Sequence, residues 1–416
     1  MKPTTTASIR LLRLGVLLAL ASCATGATAQ SIFQCDENGN SPTTGQKCVK
    51  TIQTAVPFLT ITPDARSGAM GDAGVALSPT AASSYFNASA LAFADKSFEI
   101  QATYTPWLRA LGLSDVYLAN LGVYGRISER ETLYGDLRYF SLGSIQFTDI
   151  NGQIISEGKP YEMVTSLGYA RQLSESWSAS LTGRFILSSL AQGLTVPSTG
   201  EQIGNGLAGA ADIGVTYRTD IALGSNPATL RVGAAARNIG SKITYTNAQE
   251  RDYIPTNLAL GTSLQTYLDD FNSLTVTVDF NKLLVPSPQL QGEVVDEDMN
   301  GRPDYLDYNP IEGIFRSFGD AENGFQEELE EINFSLGAEY WYANQFAARA
   351  GYFHESNTKG GRKYLTVGVG IRYTAVQFDF SYLVPTTATR NPLDNTLRFG
   401  LTYSFTSEEG GQEFAP

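Results

Sequence analysis

From Ser97 onward the side chains alternate in character with a period of two. Leu365, Val367, Val369, Ile371 and Tyr373 are apolar, and Thr366, Gly368, Gly370 and Arg372 lie between them. Leu274, Val276, Val278 and Phe280 repeat the pattern against Thr275, Thr277, Asp279 and Asn281. Leu397, Phe399, Leu401, Tyr403 and Phe405 repeat it near the C-terminus. A period of two marks an extended segment with one apolar and one polar face. Such segments fall near 97–106, 115–126, 131–141, 161–171, 177–188, 208–218, 229–237, 254–265, 272–282, 333–343, 345–355, 363–373, 376–384 and 396–405. Most have the roughly 9–11 residues that a tilted strand needs to cross a bilayer. Their number, about 14, is even, as in single-chain bacterial barrels. Short connections (127–130, 172–176, 344 and 374–375) contrast with longer ones (142–160, 189–207, 238–253, 283–332 and 385–395). Membrane barrels have short periplasmic turns and long external loops. A soluble β-sandwich would not require that odd–even rule. The expected fold is therefore all-β. It is a transmembrane antiparallel β-barrel of about 14 strands over 96–405 with a tail at 406–416, placed in an outer membrane with both termini periplasmic.

The N-terminus supports export. Lys2, Arg10 and Arg13 precede an apolar run, Leu14 to Ala21, and Ala27-Thr28-Ala29 follows. This is the layout of a secretory signal over 1–29, cleaved before Gln30. Leu20-Ala21-Ser22-Cys23 also has the form of a lipobox, which would place a lipid on Cys23. No later apolar run is long and unbroken enough for a spanning helix. Residues 30–54 read as a polar periplasmic extension. Its Cys35 and Cys48 are an even pair in an oxidising compartment, so a disulfide is expected, with two free thiols the alternative. Residues 55–95 are rich in Ala, Gly and Ser, with Gly68, Gly71 and Gly74 closely spaced. They read as a plug-like element in the barrel mouth, with Thr80 to Phe93 a candidate helix; a plain linker is the alternative.

The chain carries 42 acidic against 29 basic residues. Nucleic acid is thus an unsuitable partner. Motifs for chemistry are few. Asp296, Asp298, Asn300, Asp304 and Asp307 place oxygens at positions 1, 3, 5, 9 and 12 of a loop, with Gly301 at 6 and the Arg302 carbonyl at 7. That is calcium-loop spacing, with Asp307 where a bidentate Glu is usual. The site would be structural, and a solvated acidic turn is the alternative. Gly204-Asn205-Gly206-Leu207-Ala208-Gly209 matches a dinucleotide fingerprint but precedes a strand, so barrel glycines explain it. His354 is the single histidine, no nucleophile motif accompanies it, and no enzyme is expected. Ile314, Phe315, Phe318 and Phe325 crowd the end of the longest loop, and Leu283 to Pro286 open it. Apolar loop groups either pack together or meet a partner.

Several blocks resemble the PorV family of outer-membrane type IX secretion components. They are Pro63-Asp64-Ala65-Arg66-Ser67-Gly68-Ala69-Met70-Gly71-Asp72-Ala73-Gly74-Val75-Ala76, Gly319 to Leu329, Arg349-Ala350-Gly351-Tyr352-Phe353-His354-Glu355, and Asn391 through Phe399. The resemblance covers roughly 55–405. The cysteine-bearing extension and the Asp-rich loop depart from the family pattern. The resemblance implies a 14-stranded barrel similar to the FadL fatty-acid transporters. It also implies that secreted cargo is received at the type IX translocon barrel through the cargo's C-terminal domain. Cargo would then pass to a surface attachment complex with a sortase-like partner. Loop 283–332 is the first candidate docking surface and loop 385–395 the second. The alternative is a FadL-like transporter of small hydrophobic molecules, with the plug as its gate. Outer-membrane lipid surrounds the barrel on either reading.

Overall fold

The computed structural model describes residues 50–405 apart from 110–111, 149–150, 196–199, 247–250, 289–295, 298, 300–301 and 387–394. Cys23, Cys35, Cys48 and the tail at 406–416 lie outside the described residues. Fourteen strands form one closed antiparallel barrel. They are β1 (Phe98–Pro106), β2 (Val116–Ser128), β3 (Glu131–Leu142), β6 (Tyr161–Gln172), β7 (Trp177–Ser189), β8 (Gly206–Leu223) and β9 (Asn226–Gly240). The circuit continues with β10 (Asn257–Tyr267), β11 (Asn272–Leu283), β12 (Ile332–Tyr342), β13 (Phe346–His354), β14 (Lys363–Tyr373), β15 (Val376–Pro385) and β16 (Leu397–Phe405). The seam pairs β1 with β16, from Phe98↔Phe405 to Tyr104↔Phe399. A separate hairpin, β4 (Ile145–Thr148) with β5 (Ile154–Gly158), stands in the loop between β3 and β6. Closure leaves the barrel no open edge, so the ladder of wall amides runs around the full circuit apart from local irregularities.

The apolar rows point outward. Val367 and Val369 are 48% and 52% exposed, while Thr366 between β14's apolar positions is 1% exposed. On β11, Thr275, Thr277 and Asp279 are buried in the lumen and Val276 and Phe280 face out. The wall is therefore inverted relative to a soluble core, as lipid demands. At the long-loop end Tyr104, Tyr117, Tyr139 and Tyr161 form a ladder across β1, β2, β3 and β6, with centroids 5.5, 6.2 and 5.5 Å apart. Phe280 and Phe334 pair at 5.6 Å on β11 and β12. Tyr and Trp rings of this kind mark the membrane–water boundary.

Two strands run longer than their sequence pattern suggests. β8 and β9 extend to a tight turn at Gly224-Ser225, where Gly224 takes φ +64°. Their pairing shifts register between Ala211 and Ile213, and the Asp212 carboxylate accepts the Asn238 N–H at 2.7 Å across that irregularity.

The chain crosses the lumen before it enters β1. The Lys50 N–H donates to the Thr358 carbonyl and the Ala55 N–H to the Tyr253 carbonyl, both in long-loop connections. The Ser97 N–H meets the Phe405 carbonyl at the short-turn end. Lys50 and Phe405 thus lie at opposite ends, so residues 50–54 stand at the long-loop rim rather than with a periplasmic extension, while both termini lie outside the described residues. The filler starts at one rim and threads to the other, rather than sitting at one mouth. The expected helix from Thr80 to Phe93 is also corrected. It is a short helix, Ser83–Phe86, and a 3-10 turn, Ala88–Phe93, broken at Asn87. Asn87 caps the second piece through Ser89 and donates to the Val215 carbonyl and Thr216 hydroxyl of β8. Tying to the wall outweighs helix continuity there.

Candidate functional site

The lumen is filled in layers. At the long-loop end Val56, Phe58, Leu59, Trp107, Leu118, Phe140, Val164 and Ile186 form an apolar cluster with Ile243 and Ile254. Phe58 stacks on Phe140 at 6.3 Å, and Trp107 meets the same ring edge-on at 5.9 Å. Phe58 is fully buried. The chain's own N-terminal segment therefore occupies this apolar chamber.

Beneath it the plug is fastened by charge. Asp64 caps the short helix Ala65–Gly68, accepting from the amides of Arg66 and Ser67 at 3.1 and 2.8 Å. That fixes Arg66, whose guanidinium donates twice to Glu339 of β12, at 2.9 and 2.7 Å. Arg349 of β13 donates to the same carboxylate at 2.7 Å and to Asp379 of β15 at 2.7 Å. Arg398 of β16 pairs with Asp72 at 3.2 Å, and the Tyr364 hydroxyl donates to Asp72 at 2.5 Å. Asp279 accepts from the amides of Gly74 and Val75 at 2.6 and 2.9 Å. Forked guanidinium–carboxylate bonds hold geometry as well as energy.

Glycines make the seat. A Cβ at Gly351 would come within 2.0 Å of the Gly71 nitrogen, and one at Gly368 within 2.4 Å of Ala69 Cβ. Gly71 itself takes φ +67°, and a Cβ there would meet the Tyr352 carbonyl at 2.4 Å. It is fixed twice over, by backbone conformation and by space. These wall glycines sit at inward strand positions, so the plug backbone lies directly on the wall backbone.

The second part of the site is the connection between β11 and β12. Leu284, Val285 and Pro286 turn inward and are buried. Two short helices follow, Pro310–Arg316 and Phe325–Glu330. Three lysines from three segments converge on the second helix. Lys282 of β11 donates to Glu328 and Glu331 at 2.9 and 2.5 Å. Lys359 donates to Glu327 and Glu331 at 2.7 and 2.9 Å. Lys50 pairs with Glu322 and reaches Glu327 at 3.5 Å. Burial pulls the Lys359 ammonium down, but its hydrogen bonds to Glu327 and Glu331 outweigh that and hold its pKa above the ordinary value. Burial pushes Glu327 up, and the Lys359 bond more than reverses it. Burial raises Asp320 to about 6, against the amide bond from Ser287.

With its charges turned in, this connection shows apolar groups outward. Phe315 is 74% exposed and Phe325 76%. Phe318 is exposed too, whereas Ile314 is half-buried. Ile311 and Leu329 are exposed and were missed by sequence reasoning. Each sits four residues from a phenylalanine on its helix (Ile311/Phe315, Phe325/Leu329), and that spacing was the signal.

Other expected residues fall out differently. Asp298 and Asn300 lie outside the described residues, as does most of loop 385–395. Among the described residues no three acidic, His or Cys side chains gather as a metal cluster. Asp304 accepts the Glu297 amide at 3.1 Å, and the Lys242 ammonium donates to the Leu306 carbonyl. Gly206 and Gly209 belong to β8, a strand. His354 faces outward beside the Tyr352 hydroxyl, 3.2 Å from Nδ1.

An outward apolar wall, ringed by aromatics and closed around a charged plug, defines a plugged outer-membrane β-barrel. The matching family profile is "Type IX secretion system protein PorV", over residues 43–290. The chain belongs to the PorV family. A search of curated protein sequences gives no match. Among solved structures it is similar to the Ralstonia pickettii toluene transporter TbuX (12% identity, TM-score 0.48, 84% of this chain and 98% of that one). It is also similar to the Pseudomonas putida toluene transporter TodX (10%, 0.46, 82% and 98%). A third is a Pseudomonas aeruginosa FadL homologue (11%, 0.39, 86% and 100%).

Proposed function

We propose that this barrel is a docking component of type IX secretion, taking secreted cargo by its C-terminal domain from the translocon barrel and handing it to a sortase-like attachment complex. The observation that carries this reading is the closed lumen under an outward apolar loop surface. The long-loop end is then external, and the chain presents Phe315, Phe318 and their neighbours to partners there. Surface phenylalanines held on a fixed frame are suited to protein recognition, because large side chains contribute most where little entropy remains to lose. The plug serves as a strut that steadies the rim, and no bond chemistry is assigned to the barrel.

The transporter reading has one observation in its favour. A depression of about 670 Å³ opens on the outer wall beside Leu167, Phe185 and Gly209, near the β8–β9 irregularity. Transport along that route would require Phe58 and Leu59 to leave the apolar chamber. The Asp296–Asp307 segment is proposed as a structural calcium loop only, tested by calorimetric titration of calcium into the purified protein.

Deleting the gene separates the main readings. A docking role predicts unprocessed cargo held in the periplasm with uptake of small hydrophobic molecules unchanged. Normal cargo export with lost uptake would overturn it. Replacing Phe315 and Phe318 by serine should reproduce the export defect in a barrel that still assembles.

A further inference from the structure

The helix Phe325–Glu330 has its polarity reversed relative to an ordinary surface helix. Glu327 and Glu328 are buried, as is the following Glu331, and all three are paired with lysines. Phe325 and Leu329 share the opposite face and are exposed. The Glu330 carboxylate accepts from the Thr358 hydroxyl, and the remaining outward residue, Gln326, is neutral.

This face is continuous with the membrane wall. Leu329 lines a recess of about 330 Å³ together with Gln326, Glu330, Ile332, His354 and Ser356. Ile332 begins β12 on the outward row that continues through Phe334, Leu336 and Tyr340. Two residues along a strand rise about 7 Å, so Ile332 stands that far above the Phe334 ring. Phe334 pairs with Phe280 in the aromatic belt and lies opposite His354 in the β12–β13 register. Leu329 therefore meets the wall just past the aromatic belt, at the level where acyl chains give way to headgroups.

We propose that Phe325 and Leu329 are a lipid-contacting foot of the external loop, resting in the headgroup–acyl boundary beside β12 and β13. The occupant is lipid because the face runs on from a surface already covered by lipid. Lysines hold Glu327, Glu328 and Glu331 inward, away from headgroups, and the one carboxylate that lines the recess, Glu330, is bonded to the Thr358 hydroxyl. The inference rests on the membrane placement and is independent of the cargo reading. It divides the loop's apolar groups, giving Phe325 to the membrane and leaving Phe315 and Phe318 for partners.

The test uses the full chain purified into phosphatidylcholine vesicles whose acyl chains are brominated near the headgroup. Phe325→Trp is compared with Phe334→Trp as the membrane reference. The added emission of Phe325→Trp should be blue-shifted, quenched by bromine to the same fraction as Phe334→Trp, and sheltered from aqueous iodide. Leu329→Trp should behave alike, and it keeps the test decisive if the first variant fails to assemble. Added emission that is quenched by iodide and insensitive to bromine overturns the proposal. So does shelter that arises only when a secreted protein is added. Either failure leaves the export phenotype of the Phe315 and Phe318 variants untouched, so the two readings fail separately.

Discussion

Gly351→Ala should unseat the plug. The new Cβ would lie 2.0 Å from the Gly71 nitrogen and 2.2 Å from the Met70 carbonyl carbon, both backbone atoms that cannot rotate away. Ordinary contact begins at 3.4 Å, so the plug must retreat by 3.4 − 2.0 = 1.4 Å. That motion strains the 2.8 Å bond from the Gly71 amide to the Thr366 hydroxyl. Overpacking of this kind costs about 1–3 kcal/mol. Losing the hydrogen bond adds about 1 kcal/mol. Together, about 2–4 kcal/mol corresponds to roughly 30- to 1,000-fold faster local opening. Hydrogen exchange of the amides of Gly71 to Val75, followed by mass spectrometry in nanodiscs, reads this directly. Gly209→Ala is the control, because nothing lies within 4 Å of the Cβ it would add. If Gly351→Ala and Gly209→Ala exchange at the wild-type rate, the plug is not seated on β13 and the reasoning fails.

Glu339→Gln leaves Arg66 and Arg349 facing a neutral group in the lumen; breaking a buried pair costs about 3–5 kcal/mol. Its mobility shift on heated gels should come at a clearly lower temperature than wild type. Lys359→Met removes the shared partner of Glu327 and Glu331 and should speed proteolysis of the loop between Phe318 and Glu331, with the barrel core intact on the same gel. The docked loop should also respond to pH. Glu327 has a lowered pKa, so its contribution is present above the ordinary Glu value and lost as pH falls through the lowered one. Lys359 has a raised pKa, so its contribution is present below the ordinary Lys value and lost as pH rises through the raised one. Asp320 works the other way from Glu327: with a pKa of about 6, its share favours the docked loop at low pH and is lost as pH rises through that value. A nitroxide at Gln326→Cys, with Cys23, Cys35 and Cys48 replaced by serine, should be immobile near neutral pH and mobile at both extremes. Equal mobility across that range would contradict the lysine pairing.

The wall was legible because lipid on one side and a polar lumen on the other impose a period of two on each strand. Val367 and Thr366 show it as plainly in the sequence as in the structure. The odd–even loop rule then placed the turns. The path of residues 50–62 was not legible. Phe58 and Leu59 look like a short apolar run in a polar stretch, and their burial depends on Trp107, Phe140 and Ile186 from distant strands. The lysine pairing was equally hidden, since Lys50 and Glu322 are far apart in the chain and only closure of the barrel brings them together. The apolar loop residues were visible as a group. Which of them point outward depended on Glu327 and Glu328 being drawn inward, and no local pattern announces that.

The filler is joined directly to β1, and β1 closes against the last strand, β16. Ser97, where the filler enters the wall, bonds to Phe405 at that seam, so the same junction anchors the filler and closes the cylinder. A filler that cannot seat should therefore hinder closure of the seam, and a seam that cannot close should leave the filler loose.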